Sequence, residues 1–144
     1  MLTTMKNLRK IGLFAVAAFV LALPACQPEE EEPTPTDDRD KFVAAWTCVE
    51  NSTNSGQTTF NVHINKSTTN SAQVKLENLY NIGQAFSAVA DVSGSNLTIP
   101  QQVYNNKPLH GSGTMVSNNT INMTYYVDLG SGNIDTCTAT LTRQ

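Results

Sequence analysis

The sequence is poor in the residues that bind nucleic acid. It contains nine lysines and arginines among 144 residues, against twelve acids, and its formal net charge is −3. A nucleic-acid-binding domain needs a basic stripe or patch on one face, and no such pattern appears here. We therefore expect no nucleic-acid partner.

Motifs of catalysis and metal binding are also missing. Neither His63 nor His110 has a second His, Cys or carboxylate at ligand spacing. No Gly-x-Ser-x-Gly elbow and no glycine-rich phosphate loop is present. A glycosidase needs two carboxylates about 5–9 Å apart, and the sequence sets no such distance for the scattered acids beyond residue 41. We therefore expect a non-enzymatic protein without metal or cofactor.

One apolar run stands out, at the N-terminus. Lys6, Arg9 and Lys10 precede the uncharged segment 11–23, a charge pattern typical of a secretory signal. The run has about 13 residues, whereas roughly 20 are needed to span a hydrocarbon core. The segment therefore predicts export rather than a permanent transmembrane helix.

The residues that follow, Leu23-Pro24-Ala25-Cys26, resemble the lipobox of bacterial lipoproteins. The resemblance implies that residues 1–25 are a signal peptide and that Cys26 carries a diacylglycerol, usually with a further acyl chain on its new amino group. Two or more chains hold a protein firmly on a bilayer, whereas one binds marginally. The alternative is an ordinary signal with an incidental cysteine.

Residues 26–41 read as a tether. Beyond the cysteine the segment is rich in Pro, Glu and Asp, so it cannot bury enough surface to offset its ordering entropy. Its acidic run 29–32 resembles the export signal that sends Bacteroidetes-type lipoproteins to the cell surface. We therefore expect an outer-membrane, surface-exposed protein; the alternative is a plain linker and a domain facing the periplasm.

From residue 42 onward the pattern alternates between apolar and polar residues, and Asn, Gly and Ser interrupt it. This predicts about eight antiparallel strands in an all-β domain over residues 42–144. An up-and-down barrel is expected because an open sheet would expose its edges; a β-sandwich is the alternative. The predicted strands are 45–50, 58–65, 72–80, 84–92, 97–99, 109–116, 120–128 and 134–142.

Two cysteines remain once Cys26 is lipidated. Cys48 lies in the first predicted strand and Cys137 in the last, and disulfides persist in the compartment to which the signal leads. A Cys48–Cys137 disulfide is therefore predicted, and it would bring the first and last strands together. Two unpaired buried thiols are the alternative.

The segment from Phe42 to Trp46 resembles the Gly-x-Trp opening of lipocalins, with Ala44 at the glycine position. Segments 94–102, 111–114, 121–125 and 137–140 resemble small calycin-like lipoproteins of Bacteroidetes-type bacteria. The resemblance implies a lipocalin-like barrel over residues 42–144, in which a basic residue stacks on the tryptophan. Arg143 is the candidate for this barrel-closing pair with Trp46, through a cation–π contact.

Two functions follow for the predicted barrel, which we expect to be monomeric. Small inward residues such as Ala88, Ala90, Gly111 and Gly113 could leave a cavity for a small apolar ligand, since an eight-stranded barrel can hold one. Alternatively the barrel is filled and contacts protein or glycan through its polar outer face. The residues predicted to line a ligand are Phe60, Val62, Ile64, Val74, Leu76, Phe86, Met123 and Tyr125.

Overall fold

The computed structural model describes residues 37–144. The predicted signal peptide, the lipidation site Cys26 and most of the predicted tether lie outside these residues. Within them, no helix has the length and apolar character needed to cross a membrane. The strands are β1 Ala44–Ser52, β2 Gly56–Lys66, β3 Gln73–Glu77, β4 Ser87–Ser93, β5 Asn96–Tyr104, β6 Lys107–Ser117, β7 Thr120–Asp128 and β8 Ile134–Arg143.

The eight strands form a closed antiparallel barrel in sequence order. Each strand pairs with the next, and β8 returns to pair with β1, so that Trp46 lies opposite Arg143 and Ser52 opposite Cys137. The all-β, up-and-down barrel predicted from the sequence is confirmed, and no sheet edge is left open.

The core lies inside the barrel because side chains alternate between its two faces. On β1, Trp46, Cys48 and Glu50 are buried. Val49, which lies between Cys48 and Glu50, points outward and is more than a third exposed. The apolar side chains predicted to face inward on β2, β3 and β7 are buried in the same way.

β5 is longer than predicted. The sequence analysis ends this strand before Pro100 because proline cannot donate to a ladder, but β5 continues to Tyr104 across a register shift between Ile99 and Gln102. The Gln102 side chain donates from Nε2 to the Val89 carbonyl at 2.8 Å and accepts from the Val89 N–H at 2.9 Å. The side-chain amide thus replaces a peptide group between β4 and β5 where the bulge displaces the backbone.

The strand predicted over 84–92 begins later, at Ser87. Between β3 and β4 the chain forms a short 3₁₀ turn, Leu79–Asn81, in which Leu79 is fully buried. Phe86 therefore precedes the strand and is 38% exposed, packing edge-on against Tyr104. Its predicted place among the inward, ligand-lining residues is wrong because Phe86 lies outside the strand, although it shares the phase of the buried Ala88 and Ala90.

The predicted disulfide is also wrong: Cys48 and Cys137 are buried free thiols. Cys48 lies opposite Leu141 and Cys137 opposite Ser52, so the two cysteines are four residues out of register. At about 3.3 Å per residue this offset is about 13 Å, and a disulfide needs α-carbons within about 7 Å. Backbone pairing, rather than a disulfide, therefore joins β1 to β8.

The last residues of the predicted tether are folded. Residues 38–42 form a turn in which Arg39 pairs with Asp37 at 2.7 Å and donates to the carbonyls of Ser67 and Asn70. Lys66 of β2 pairs with Asp37 at 2.8 Å and with Asp40 at 2.6 Å. The folded domain therefore includes the turn at residues 38–42 as well as the strands.

Candidate functional site

The two ends of the barrel differ in chemistry. The tryptophan end, built around Phe42, Trp46 and Arg143, lies where β1 begins and β8 ends. Trp46 is fully buried and donates from Nε1 to the Phe42 carbonyl at 2.9 Å. The Arg143 guanidinium carbon lies 4.4 Å from the centre of the Trp46 ring, and its nitrogens donate to the carbonyls of Lys41, Val43 and Asn118. All the polar groups of this contact therefore have partners.

The opposite end, the carboxylate end, is built around Glu50, Tyr80, Tyr125 and Asp135. Glu50 is 2% exposed and Asp135 is fully buried, although both belong to a residue type that is seldom buried without a partner. The sequence sets no two acids face to face. Both side chains point into the barrel, and the pairing of β1 with β8 sets Glu50 opposite Ala139, four residues from Asp135 along β8.

Asp135 is fully provided with donors. The Ser52 hydroxyl donates to both carboxylate oxygens, at 2.8 and 2.7 Å, and Tyr80 donates at 2.7 Å. The Thr53 hydroxyl and the Asn54 N–H complete the set at 3.0 and 3.1 Å. Burial acts to raise the pKa of Asp135, but these hydrogen bonds outweigh it and hold the pKa below its usual value. Asp135 is therefore an anion inside the barrel.

Glu50 differs from Asp135 in its hydrogen bonding. Its Oε2 atom is buried and has no hydrogen-bond partner. Burial, with a smaller effect from the negative charge of Asp135, raises the pKa of Glu50 to about 7. Such a split between two carboxyl groups is typical of acid–base pairs. Here, however, the oxygens of Asp135 are already occupied by protein donors, so Asp135 is not a free nucleophile.

Tyr125 carries the second unpartnered group. Its ring is fully buried, and its hydroxyl oxygen has no hydrogen-bond partner. The ring meets that of Tyr80 edge-on, with centroids 6.5 Å apart. A buried polar atom without a partner costs about 1–3 kcal/mol, so two of them at one end of a barrel mark a place where a further polar group would be stabilised.

The two thiols do not add reactivity to this end. Burial, together with the charge of Glu50, raises the pKa of Cys48 to about 12. Burial likewise raises the pKa of Cys137 far above its usual value, and the nearby carboxylates add to this effect. Since the thiolate is the nucleophile, both cysteines are inert core residues.

A short segment, residues 78–86, covers the carboxylate end; we call it the cap segment. Asn78, Tyr80 and Asn81 all adopt left-handed backbone angles, with φ of 64°, 60° and 53°, a region that is unusual for a bulky residue such as tyrosine. Tyr104 donates to the Leu79 carbonyl at 2.9 Å, and Tyr80 donates to Asp135. The cap segment is thus a strained backbone held by side-chain hydrogen bonds.

The predicted ligand-lining residues are buried in one core, except for Phe86: Phe60, Val62, Ile64, Val74, Leu76, Met123 and Tyr125 are all at most 8% exposed. The small residues leave less room than the sequence suggests. A Cβ at Gly111 would lie 2.4 Å from the Cβ of Tyr125, and one at Gly113 would lie 2.8 Å from Met123. The space beside both glycines is therefore filled by side chains of β7.

The carboxylate end is not among the sites predicted from the sequence, although the sequence carries a signal for it. Glu50 has the same phase on β1 as Trp46 and Cys48, and Asp135 the same phase on β8 as Cys137. Charged residues in an inward phase predict a functional or structural polar site, because burial is costly for a charge. The sequence does not show that Tyr80 and Tyr125 join them. The predicted absence of a metal site stays a prediction.

Comparisons with known proteins identify the fold. No protein family matches the chain, and no curated protein matches it in sequence. A redesigned β-barrel, b11L5F_LGL, superposes with a TM-score of 0.54 at 14% identity, covering 77% of this chain and 98% of that one. EF1p2_mFAP2b bound to DFHBI gives 0.53 at 15% identity over 76% and 100% of the two chains. The redesigned barrel mFAP1, bound to DFHBI, gives 0.54 at 13% identity over 75% and 100%.

Proposed function

We propose that this protein is a lipid-anchored, surface-exposed bacterial lipoprotein whose barrel binds a small, mostly apolar molecule without catalysing a reaction. The anchor rests on the sequence alone, on the basic start, the apolar run 11–23 and Cys26. The acidic run after Cys26 supports export to the cell surface. The binding role rests on the barrel interior.

The observation that carries the binding role is the asymmetry of that interior. Its walls are apolar from the tryptophan end upward, and that end is sealed by Trp46 and Arg143. The other end finishes in two polar atoms without partners, on Glu50 and Tyr125, beneath the cap segment. An apolar pocket with a few convergent polar groups is the usual form of a small-molecule site.

The route to this site would pass the cap segment. Its hold on the barrel includes the hydrogen bond from Tyr80 to Asp135 and the one from Tyr104 to the Leu79 carbonyl. The left-handed backbone angle of Tyr80 stores strain that opening would release. The fold likeness to barrels that bind DFHBI is in keeping with a ligand-binding role.

Native mass spectrometry tests the binding role on the full-length protein, taken from its host in mild detergent. We expect a mass above that of the lipidated chain that disappears on denaturation. Ala88→Leu adds volume to the buried interior beside β3 and should remove the added mass. Val89→Leu, the outward neighbour on the same strand, is the matched control and should retain it. A chain without added mass would contradict the binding role.

A second function is favoured by the packing of the glycines. Because Tyr125 and Met123 fill the space beside Gly111 and Gly113, the barrel could be solid and serve as an interaction module. It would then meet protein or glycan through outward residues such as Thr114, Asn122 and Thr140, which are exposed and hydrogen-bonded to their neighbours. A bare mass in the preceding experiment is the result that this function predicts.

Labelling with radioactive palmitate tests the anchor. Cys26→Ala should abolish incorporation, whereas Cys48→Ala, which removes a thiol of the barrel, should leave it unchanged. Label retained by Cys26→Ala would contradict the anchor. Protease added to intact cells should remove the domain, and complete protection would show that it faces the periplasm.

A further inference from the structure

The carboxylate end holds negative charge that the described residues do not balance. Asp135 is an anion held by neutral donors, and its charge acts on Glu50, whose buried Oε2 atom has no hydrogen-bond partner. The ion pairs found among residues 37–144 join Asp37, Asp38 and Asp40 to Arg39, Lys41 and Lys66. None of these pairs involves Glu50 or Asp135, and buried charges are normally paired.

The unpartnered Tyr125 hydroxyl is an independent sign of a missing group. The side chain is fully buried on β7, a different strand from either carboxyl group. A phenol can both donate and accept a hydrogen bond, so it can accept one from a donor that also faces Glu50. Since neither Glu50 Oε2 nor the Tyr125 hydroxyl has a partner, a group with more than one N–H or O–H would be stabilised there.

The aromatic side chains further narrow the chemical class of the group that could bind at the carboxylate end. The rings of Tyr80 and Tyr125 meet edge-on, with centroids 6.5 Å apart, so two aromatic rings lie at the end of the barrel that holds the unpartnered hydroxyl. A cation over an aromatic face gains about 0.5–2 kcal/mol, most when it is desolvated. An anion would be repelled by Asp135. Among the residues 37–144, no group of three or more His, Cys, Asp or Glu could hold a metal ion.

We propose that the carboxylate end binds the ammonium group of a small organic amine, between Glu50 and the Tyr125 hydroxyl and beside Asp135. This inference rests on the proposed binding function and names its ligand class. Glu50 makes the direct ion pair. Tyr125 accepts a second N–H, and Asp135 acts through its charge because its oxygens already have donors. The apolar part of the amine extends into the barrel toward Met123, which lies two residues before Tyr125 on β7.

Three probes with one apolar body test the proposal by calorimetry at pH 8: 2-phenylethylamine, 2-phenylethanol and phenylacetate, each with the full-length protein in detergent. Glu50 is mostly ionised at this pH, because its pKa is about 7. We expect the amine to bind at least tenfold more tightly than the alcohol, and the acid to bind more weakly than either.

Two variants assign the contact. Glu50→Gln should weaken the amine at least tenfold and change the alcohol less than threefold. Tyr125→Phe keeps the ring and should weaken the amine severalfold. Glu77→Gln, on the outward face of β3, is the matched control and should change neither. Natural amine affinity in both Glu50→Gln and Tyr125→Phe would overturn the assignment.

The outcomes separate the inference from the proposed function. Equal binding of amine and alcohol, or alcohol binding alone, would overturn the amine site and leave the apolar binding role in place. Binding of none of the three probes would contradict the amine site, and a bare native mass would then remove the binding role as well.

Discussion

The two ends of this barrel are built from the same strands but satisfy their polar groups in opposite ways. At the tryptophan end, the charged group of Arg143 lies over Trp46 and donates to carbonyls. At the carboxylate end, Asp135 takes every local donor while Glu50 and Tyr125 keep unpartnered atoms. Sealing one end of a barrel serves stability, whereas a polar end with free atoms is typical of a site kept for another molecule.

The largest effect is expected at the tryptophan end. Trp46→Ala removes a fully buried ring and should lower the free energy of unfolding by about 4 kcal/mol. Chemical denaturation followed by circular dichroism measures the change. Val49→Ala, an outward residue of the same strand, is the control and should cost far less. A loss below about 1 kcal/mol for Trp46→Ala would mean that this end does not anchor the barrel.

The next largest effect is expected for Asp135, the hydrogen-bonded carboxylate of the carboxylate end. Asp135→Asn removes the charge that Ser52 and Tyr80 donate to and should cost about 3 kcal/mol at pH 7. The pKa of Asp135 is lowered in the folded state, so its contribution is present above the usual Asp range and is lost as pH falls through the folded pKa. The difference between the proteins should therefore shrink in acid. Asp91→Asn, at an exposed site, is the control, and an equal loss there would contradict the prediction.

The smallest effect is expected for Glu50, and its substitution should raise the free energy of unfolding rather than lower it. The pKa of Glu50 is raised from 4.5 to about 7, so the folded protein holds a proton that the unfolded chain releases. Stability should therefore fall as pH rises from about 4.5 to 7. Glu50→Gln removes this loss and should be more stable than the natural protein by about 2 kcal/mol at pH 8. Thermal unfolding from pH 4 to 8 measures it.

Glu77→Gln serves as the control for the pH series, and its stability should run parallel to that of the natural protein. A Glu50→Gln variant that is less stable at pH 8 would mean that Glu50 has a cationic partner in the protein itself. That result would remove the contrast between the two ends.

Part of each end follows from sequence reasoning. The contact between Trp46 and Arg143 has the geometry that the lipocalin resemblance implies. Glu50 could have been found, since it shares the inward phase of Cys48. Tyr80 could not, because its place over the barrel depends on the left-handed turn that also displaces Phe86. The end of β5 could not be predicted from Pro100 either. The strand continues through a bulge, where the Gln102 side-chain amide takes the place of a backbone peptide group.

The sequence by itself determined what is local or repeats with period two: the eight strands in order, the inward faces of β2, β3 and β7, and the composition of the N-terminal segment. Only the tertiary structure decided how far β8 slides along β1, which separates Cys48 from Cys137 and keeps them as thiols. That register depends on every turn, bulge and strand length around the closed barrel, and so does the position of Glu50 relative to Asp135. Alternation is a property of each strand, whereas closure is a property of all eight together.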